Sequence, residues 1–348
     1  MSLHQNMFAE PPKTGHQDRP DVATARRFSV APMMDWTDRH CRVLHRLLTR
    51  NALLFTEMVT SAAIAHGDRE RLLGFSEIEQ PLALQLGGSD PAELAMAARV
   101  GDDFGYDEIN LNVGCPSDRV QSGRFGACLM LEPELVAECV RAMRGATDLP
   151  VTVKCRLGVD DQDTEESLDR FADLMVEAGV DALYVHARKA WLKGLSPKEN
   201  RTIPPLDYAR PLRLAQRLPV PVYLNGGIGT IEEVEAHMAG FAGVMVGRAA
   251  YHEPMMLSLA DERIFGDSHP APSLGAVIDA MADYAEAEMS RGARLNNITR
   301  HMLGLANGRA GARTFRQILS VDAAKRGAGP ETLHRAYAAL DPERALAV

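Results

Sequence analysis

A thiol, an ammonium group and an imidazole fall at the ends of three apolar runs. Cys115 follows "EINLNVG" and sits between a glycine and a proline; Lys154 lies inside "VTVKCRLG"; His186 ends "ALYVHA". A cysteine at a strand tip on a stiff Gly-Cys-Pro turn is poorly placed for inert packing. A polar, glycine-containing stretch follows it, a segment able to order over a bound substrate. The ammonium of Lys154, within an apolar strand, needs an anionic or electron-rich partner, because an unpaired buried cation is disfavoured. The N1–C2=O edge of a flavin, negative when the ring is reduced, would serve. Gln85, in "LALQLG", can donate to and accept from such a ring at once, and His186 could hold the same edge. Met33 and Met34 could line one face of it, although core packing accounts for methionine equally well.

Two further strand ends carry glycine. Asn225, Gly226 and Gly227 end "VYLNGG", and Gly247 with Arg248 ends "GVMVGR". Glycine admits phosphate oxygens close to backbone N–H groups, and arginine adds charge. Pro32, Glu57, Asn110, Asn112, Arg156 and Arg188 add polar or turn residues at the remaining strand ends.

Eight strand-length runs hold these residues: 28–33, 53–58, 82–87, 108–114, 151–158, 182–187, 222–227 and 243–248. Several are rich in Val and Leu without alternation, as in parallel strands buried on both faces. Helical patterns fill most of the gaps, for example "DPAELAMAARVGDDFG" with an Asp cap and Pro in the first turn, "EPELVAECVRAMRGAT", "EESLDRFADLMVEAGV" and "TIEEVEAHMAG". The order predicts an α/β protein: a (β/α)8 TIM barrel over 28–267, whose chemistry collects at the carboxyl ends of the strands. A doubly wound sheet is disfavoured, since no glycine fingerprint follows the first strand. A loose tail is expected over 1–27. Beyond the linker "SHPAPS", the stretches "LGAVIDAMADYAEAEMSR", "NNITRHMLGLANG", "ARTFRQILSVDAAK" and "PETLHRAYAAL" predict a small helical domain over 268–348.

Net charge is −9, which alone speaks against a polyanion partner. The distribution is uneven, however. Residues 188–217 hold eight basic side chains against two acidic ones, and 291–316 hold six arginines and no acid. Five cysteines without a CxxC pair point to neither a disulfide framework nor a zinc site, and to a reducing compartment. Cys41, Cys139 and Cys155 fit structural positions, with Cys128 open. No run is long enough for a membrane helix, and the amino terminus lacks a signal-peptide core.

The stretches "APMMDWTDRHCR", "LQLGG", "NLNVGCPSDRVQSGRFGACLM", "VTVKCRLGVDD", "VHARKAWLKGLSPKENR", "LNGGI", "VGRAAY" and "ITRHMLGL" together resemble the tRNA-dihydrouridine synthases, closest to the A subfamily, over about residues 28–320. The resemblance implies an FMN-binding barrel with a tRNA-binding helical domain. It implies NADPH-driven reduction of the C5=C6 bond of D-loop uridines 20 and 20a; apart from the resemblance, a cytoplasmic, metal-free monomer is expected. Flavin contacts would come from Pro32, Met33, Met34, Gln85, Lys154, His186, Asn225, Gly226, Gly227, Gly247 and Arg248. Cys115 would be the proton donor: hydride reaches uracil C6 from one face and a thiol, mostly protonated at neutral pH, supplies C5 from the other. Asn112, Lys198, Arg201, Arg313 and Arg316 would meet tRNA. "GLANGRAGAR" departs from the pattern, with small residues near Arg313. Two other classes compete: a flavin oxidoreductase acting on a free pyrimidine or small enone, and a non-catalytic RNA-binding barrel.

Overall fold

A computed structural model describes residues 20–117 and 123–340. Eight parallel strands form one sheet: β1 Phe28–Val30, β2 Leu54–Thr60, β3 Leu82–Gly87, β4 Glu108–Val113, β5 Val151–Arg156, β6 Ala182–His186, β7 Val222–Asn225 and β8 Gly243–Val246. Each of the eight expected runs is a strand. The order runs β1-β8-β7-β6-β5-β4-β3-β2, and all seven pairings are parallel. A bridge between Ser29 and Leu53 closes the ring. There Val30 N–H donates to the Leu53 carbonyl at 3.0 Å and Leu53 N–H to that of Phe28 at 3.1 Å. The molecule is a TIM barrel.

The pairing register stacks inward side chains in layers, since alternate residues of a strand share a face. Low in the barrel the buried Arg26 and Glu108 pair at 2.6 Å. Above them Phe55, Tyr184, Tyr223 and Met245 fill the centre, with Tyr184 edge-on to Phe55 and stacked on Tyr223. Alongside runs a polar chain, Gln85 Nε2 to Asn110 Oδ1 and Asn110 Nδ2 to Thr152 Oγ1, each 2.8 Å. Outward residues such as Leu84, Ile109, Leu111 and Val153 join the larger apolar cluster with Leu94, Val136, Val140 and Phe171 of the surrounding helices.

The expected helices form at Pro91–Asp103, Pro133–Arg144, Glu166–Glu177 and Ile231–Met238. Asp90 caps the first by accepting the Glu93 N–H, and Thr230 with Glu233 makes a capping box on the last. Two more barrel helices form at Arg39–Leu48 and Ala209–Arg217.

Three expectations are corrected. Residues 20–27 are not part of a tail: Val22–Ala25 is a helical turn capped by Asp21, Ala25 is fully buried, and Arg26 seals the barrel floor. The rest of that segment, 1–19, lies outside the described residues, as do 118–122 of the stretch after Cys115 and 341–348. "NNITRHMLGLANG" is helical only over Leu295–Thr299. Gly304 explains why: the chain passes against the barrel there, and a Cβ would lie 2.3 Å from the His252 carbonyl oxygen. "ARTFRQILSVDAAK" is likewise split, helical over Ala312–Gln317 and then a wider turn over Ile318–Asp322.

Leu274–Ser290 and Leu295–Thr299 pack on the Arg39–Leu48 helix, and Ala312–Gln317, Ile318–Asp322 and Glu331–Ala338 pack on those two and on one another. His40 Nδ1 meets the Tyr284 hydroxyl at 2.7 Å, and Asp38 accepts from Arg300 at 2.6 Å and His301 at 3.0 Å.

Candidate active site

At the carboxyl ends of the strands opens a cleft of about 1120 Å³. All eleven residues expected to touch a flavin line it, as do Asn112, Cys115 and Arg201; Lys198, Arg313 and Arg316 do not.

The Cys115 turn is braced from two sides. Oδ1 of the buried Asn112 accepts the N–H groups of Gly114 and Cys115 at 3.1 and 3.0 Å. Nε of Arg156 donates to the Gly114 carbonyl at 2.9 Å. Cys115 is half-exposed, whereas Cys41, Cys139 and Cys155 are fully buried. Burial pushes the Cys139 and Cys155 thiols up to about 12, so both stay protonated and unreactive. Cys128 is half-buried, with its thiol directed at the Phe125 carbonyl.

Among the described residues Lys154 meets no carboxylate. Its Nζ donates to Asn225 Oδ1 at 3.1 Å, and Asn225 is oriented by its own bond to the Met245 carbonyl. Burial, then the nearby Arg156 charge, lowers the ammonium to about 8. His186 shares this environment. Burial followed by the charges of Arg156 and Lys154 holds its pKa well below the usual range, so the ring is neutral, and its enclosed Nδ1 has no partner among the described residues. Gln85 gives Nε2 to Asn110 and takes Nδ2 of Asn112 on Oε1, both at 2.8 Å, which keeps one donor and one acceptor position for a ligand.

Across the cleft, Gly226 and Gly227 have φ of 114° and 77°, a region costly for other residues. A Cβ on Gly227 would strike Leu206 at 2.5 Å and the Tyr208 hydroxyl at 2.8 Å. A Cβ on Gly247 would meet only ordinary contacts, Ala31 Cβ at 3.8 Å and Met33 Sδ at 4.0 Å, and Arg248 begins the short helix Arg248–His252, with Nη2 on the Arg201 carbonyl at 3.2 Å. An orphaned imidazole nitrogen, a cation without an anion and a glycine cradle beside an arginine fit a flat ligand with an electron-rich edge and a phosphate tail.

Asn112 differs from its expected role. Its oxygen is taken by the turn and one amide N–H reaches Gln85, so it orients the thiol's backbone and keeps one N–H for a ligand in the cleft. The basic stretch 188–217 also divides. Arg210, Arg213 and Arg217 form ion pairs with Glu165, Asp169 and Asp173, a structural network between adjacent helices. Lys198 stays exposed, and Arg201 turns half-buried into the cleft. Arg313 and Arg316 are exposed on the helix Ala312–Gln317, Arg316 donating to Asn307.

Two cleft residues were visible at strand ends without a role. Glu57 accepts the N–H of Asp35 at 2.6 Å, with its own pKa raised by burial. Arg156 reaches both the thiol turn and the loop after β6. Its signal was the period-two spacing from Lys154, which puts both on the inner face.

Residues 29–340 match the family described as dihydrouridine synthase (Dus). A tRNA-dihydrouridine(20/20a) synthase of Xanthomonas axonopodis pv. citri is 56% identical over 329 residues, covering 94% of this chain and 97% of that protein. The protein of the same name from Escherichia coli (strain K12) is 54% identical over 329 residues, covering 94% and 95%. Among solved structures, the old yellow enzyme homologue from Zymomonas mobilis superposes with a TM-score of 0.51 at 11% identity, covering 72% of this chain and 92% of its own. Morphinone reductase gives 0.50 at 13% identity, covering 72% and 88%. These two show likeness of fold alone.

Proposed function

The chain belongs to the dihydrouridine synthase family, and on that premise we propose that it reduces uridines 20 and 20a in the D-loop of tRNA to 5,6-dihydrouridine, using bound FMN and NADPH. The observation that carries this reading is the half-exposed thiol of Cys115, braced at the rim of the cleft that Lys154, His186 and Gln85 also line.

FMN, reduced by NADPH, would supply hydride to uracil C6. Lys154 would hold the electron-rich N1–C2=O edge, Gln85 the pyrimidine edge, and the orphaned Nδ1 of His186 a further ring atom. Met33 and Met34 would flank the ring, while Gly226, Gly227, Gly247 and Arg248 would take the phosphate. Cys115 would deliver its proton to C5, and the thiolate left behind would lie among Lys154, Arg156 and Arg201. The base must leave its stack to enter the cleft. Lys198 and Arg201 beside the rim, with Arg313 and Arg316 on the helical domain 268–348, would hold the tRNA while it does.

A flavin oxidoreductase for a free pyrimidine would need the same cleft but not the exposed cations. The test is direct. Purified protein should be yellow with a flavin spectrum, and should form dihydrouridine in transcribed tRNA with NADPH but not in free uridine. A strain lacking it should lose dihydrouridine at positions 20 and 20a. Turnover of free uridine, or unchanged tRNA in that strain, would overturn the reading.

A further inference from the structure

We propose that Arg156 is a positioning residue that locks the aim of the Cys115 thiol to the loop carrying Lys198 and Arg201, so that seating of the tRNA and aim of the acid are set together; this rests on the function proposed above.

Arg156 ends β5, the strand between the one that leads to the thiol turn and the one that leads to the 189–201 loop. Only 4% exposed, it donates within the described residues to main-chain carbonyls: Nε to Gly114 at 2.9 Å, Nη1 to Asn200 at 2.9 Å and to Lys189 at 3.1 Å. The Gly114 carbonyl and the Cys115 N–H belong to one peptide unit. Arg156 holds its oxygen while Asn112 holds its N–H, so the plane from which the Cys115 side chain departs is fixed at both ends.

The other end of the strut is equally defined. Asn200 is fully buried and closes its loop: its side chain accepts the Trp191 N–H at 2.7 Å and donates to the Trp191 and Leu195 carbonyls. Leu192 N–H is held by Asp160. A displacement at the Asn200 carbonyl therefore reaches Arg201, the next residue, and Lys198, two before. A buried guanidinium with no carboxylate partner among the described residues is a costly wedge, and burial lowers its pKa to about 10. An apolar side chain would pack there at less cost. Three fork-directed bonds to two loops are what arginine adds.

The experiment reads reoxidation of prereduced, flavin-loaded enzyme by unmodified tRNA, so flavin reduction does not enter. Arg156→Met should slow the rate at saturating tRNA by about 100-fold, the cost of an ångström-scale misplacement. Arg156→Lys, which keeps the charge and reaches one carbonyl, should recover about tenfold of that, by its single strong hydrogen bond. The decisive measurement is a double-mutant cycle. Arg201→Ala should lower both tRNA affinity and the saturating rate in the wild-type background, but affinity alone once Arg156 is Met. If Arg201→Ala lowers affinity alone in both backgrounds, or if the two rate effects simply multiply, the coupling is absent and the proposal fails. The Lys variant carries the same cycle should the Met variant not fold. Wild-type enzyme that tRNA does not reoxidise would sink the parent reading, not this one.

Discussion

Lys154 is kept in a place that costs stability. Its folded pKa of about 8 lies below the ordinary 10.5. The folded chain binds that proton less tightly than the unfolded chain. Below about pH 8 the full penalty of the charged form applies, and it is relieved as pH rises towards 10.5. Lys154→Met should therefore stabilise the flavin-free protein at pH 7, by on the order of 1–3 kcal/mol, while weakening flavin binding. Urea unfolding of both apo proteins from pH 7 to 10 checks this: the gap should narrow as pH rises, and a less stable Met variant would contradict it. Cys115→Ala should keep flavin and tRNA binding but lose about 10²–10⁴-fold in the rate of tRNA reduction. Single-turnover reoxidation by tRNA measures it, and an undiminished rate would exclude the acid role. Residue identity was legible wherever chemistry needs a rare type in an apolar run, as with Lys154 and Cys115. The role of Asn112 was not, because a carboxamide serves equally as ligand or brace, and only its hydrogen-bond partners decide.

Elements were legible to the extent that apolar period and caps specify them. The barrel strands are buried on both faces and show it as unbroken Val and Leu. The segment 296–308 has apolar residues at helical spacing, yet its path is set by the close approach of Gly304 to His252, a tertiary fact invisible in local pattern. Where that segment meets the barrel, Asp38 does three jobs. It caps the Arg39–Leu48 helix through the Cys41 N–H and receives Arg300 and His301. Burial opposes its charge, but His301, the Cys41 N–H and Arg300 outweigh burial and hold the carboxyl well below its usual range. This contribution is present above the unfolded value of 3.8 and is lost as pH falls below it. Asp38→Asn should cost about 2–3 kcal/mol at pH 7. Its denaturation midpoints should converge on those of the wild type in acid, and a gap that stays constant down to pH 3 would refute the linkage. At the barrel floor, Glu108→Ala strands the buried Arg26 and should cost about 3–5 kcal/mol. Calorimetry of the two proteins would show it as a drop in Tm, absent if the pair contributes nothing.

The whole molecule is acidic, and its substrate under the proposed function is a polyanion. Placement resolves the conflict. Arg210, Arg213 and Arg217 are spent on ion pairs between helices, and Arg300 on Asp38. Cations outside those pairs include Arg201 near the thiol and Lys198 three residues earlier on the same loop, with Arg313 and Arg316 one helical turn apart on the outer helix. Sequence counts could not separate the two groups, since pairing depends on which helix lies alongside. If Arg313 and Arg316 each meet one phosphate, replacing both by Glu removes two released counterions from the binding equilibrium. The slope of log Kd against log salt should then fall in magnitude by about 1.4–1.8, at 0.7–0.9 per phosphate. Binding at low salt should weaken strongly, while NADPH oxidation by the flavin in the absence of tRNA is retained. Filter binding of transcribed tRNA across 50–300 mM salt measures the slope. An unchanged slope would make this helix an ordinary solvated face and leave the rim cations to hold the tRNA alone.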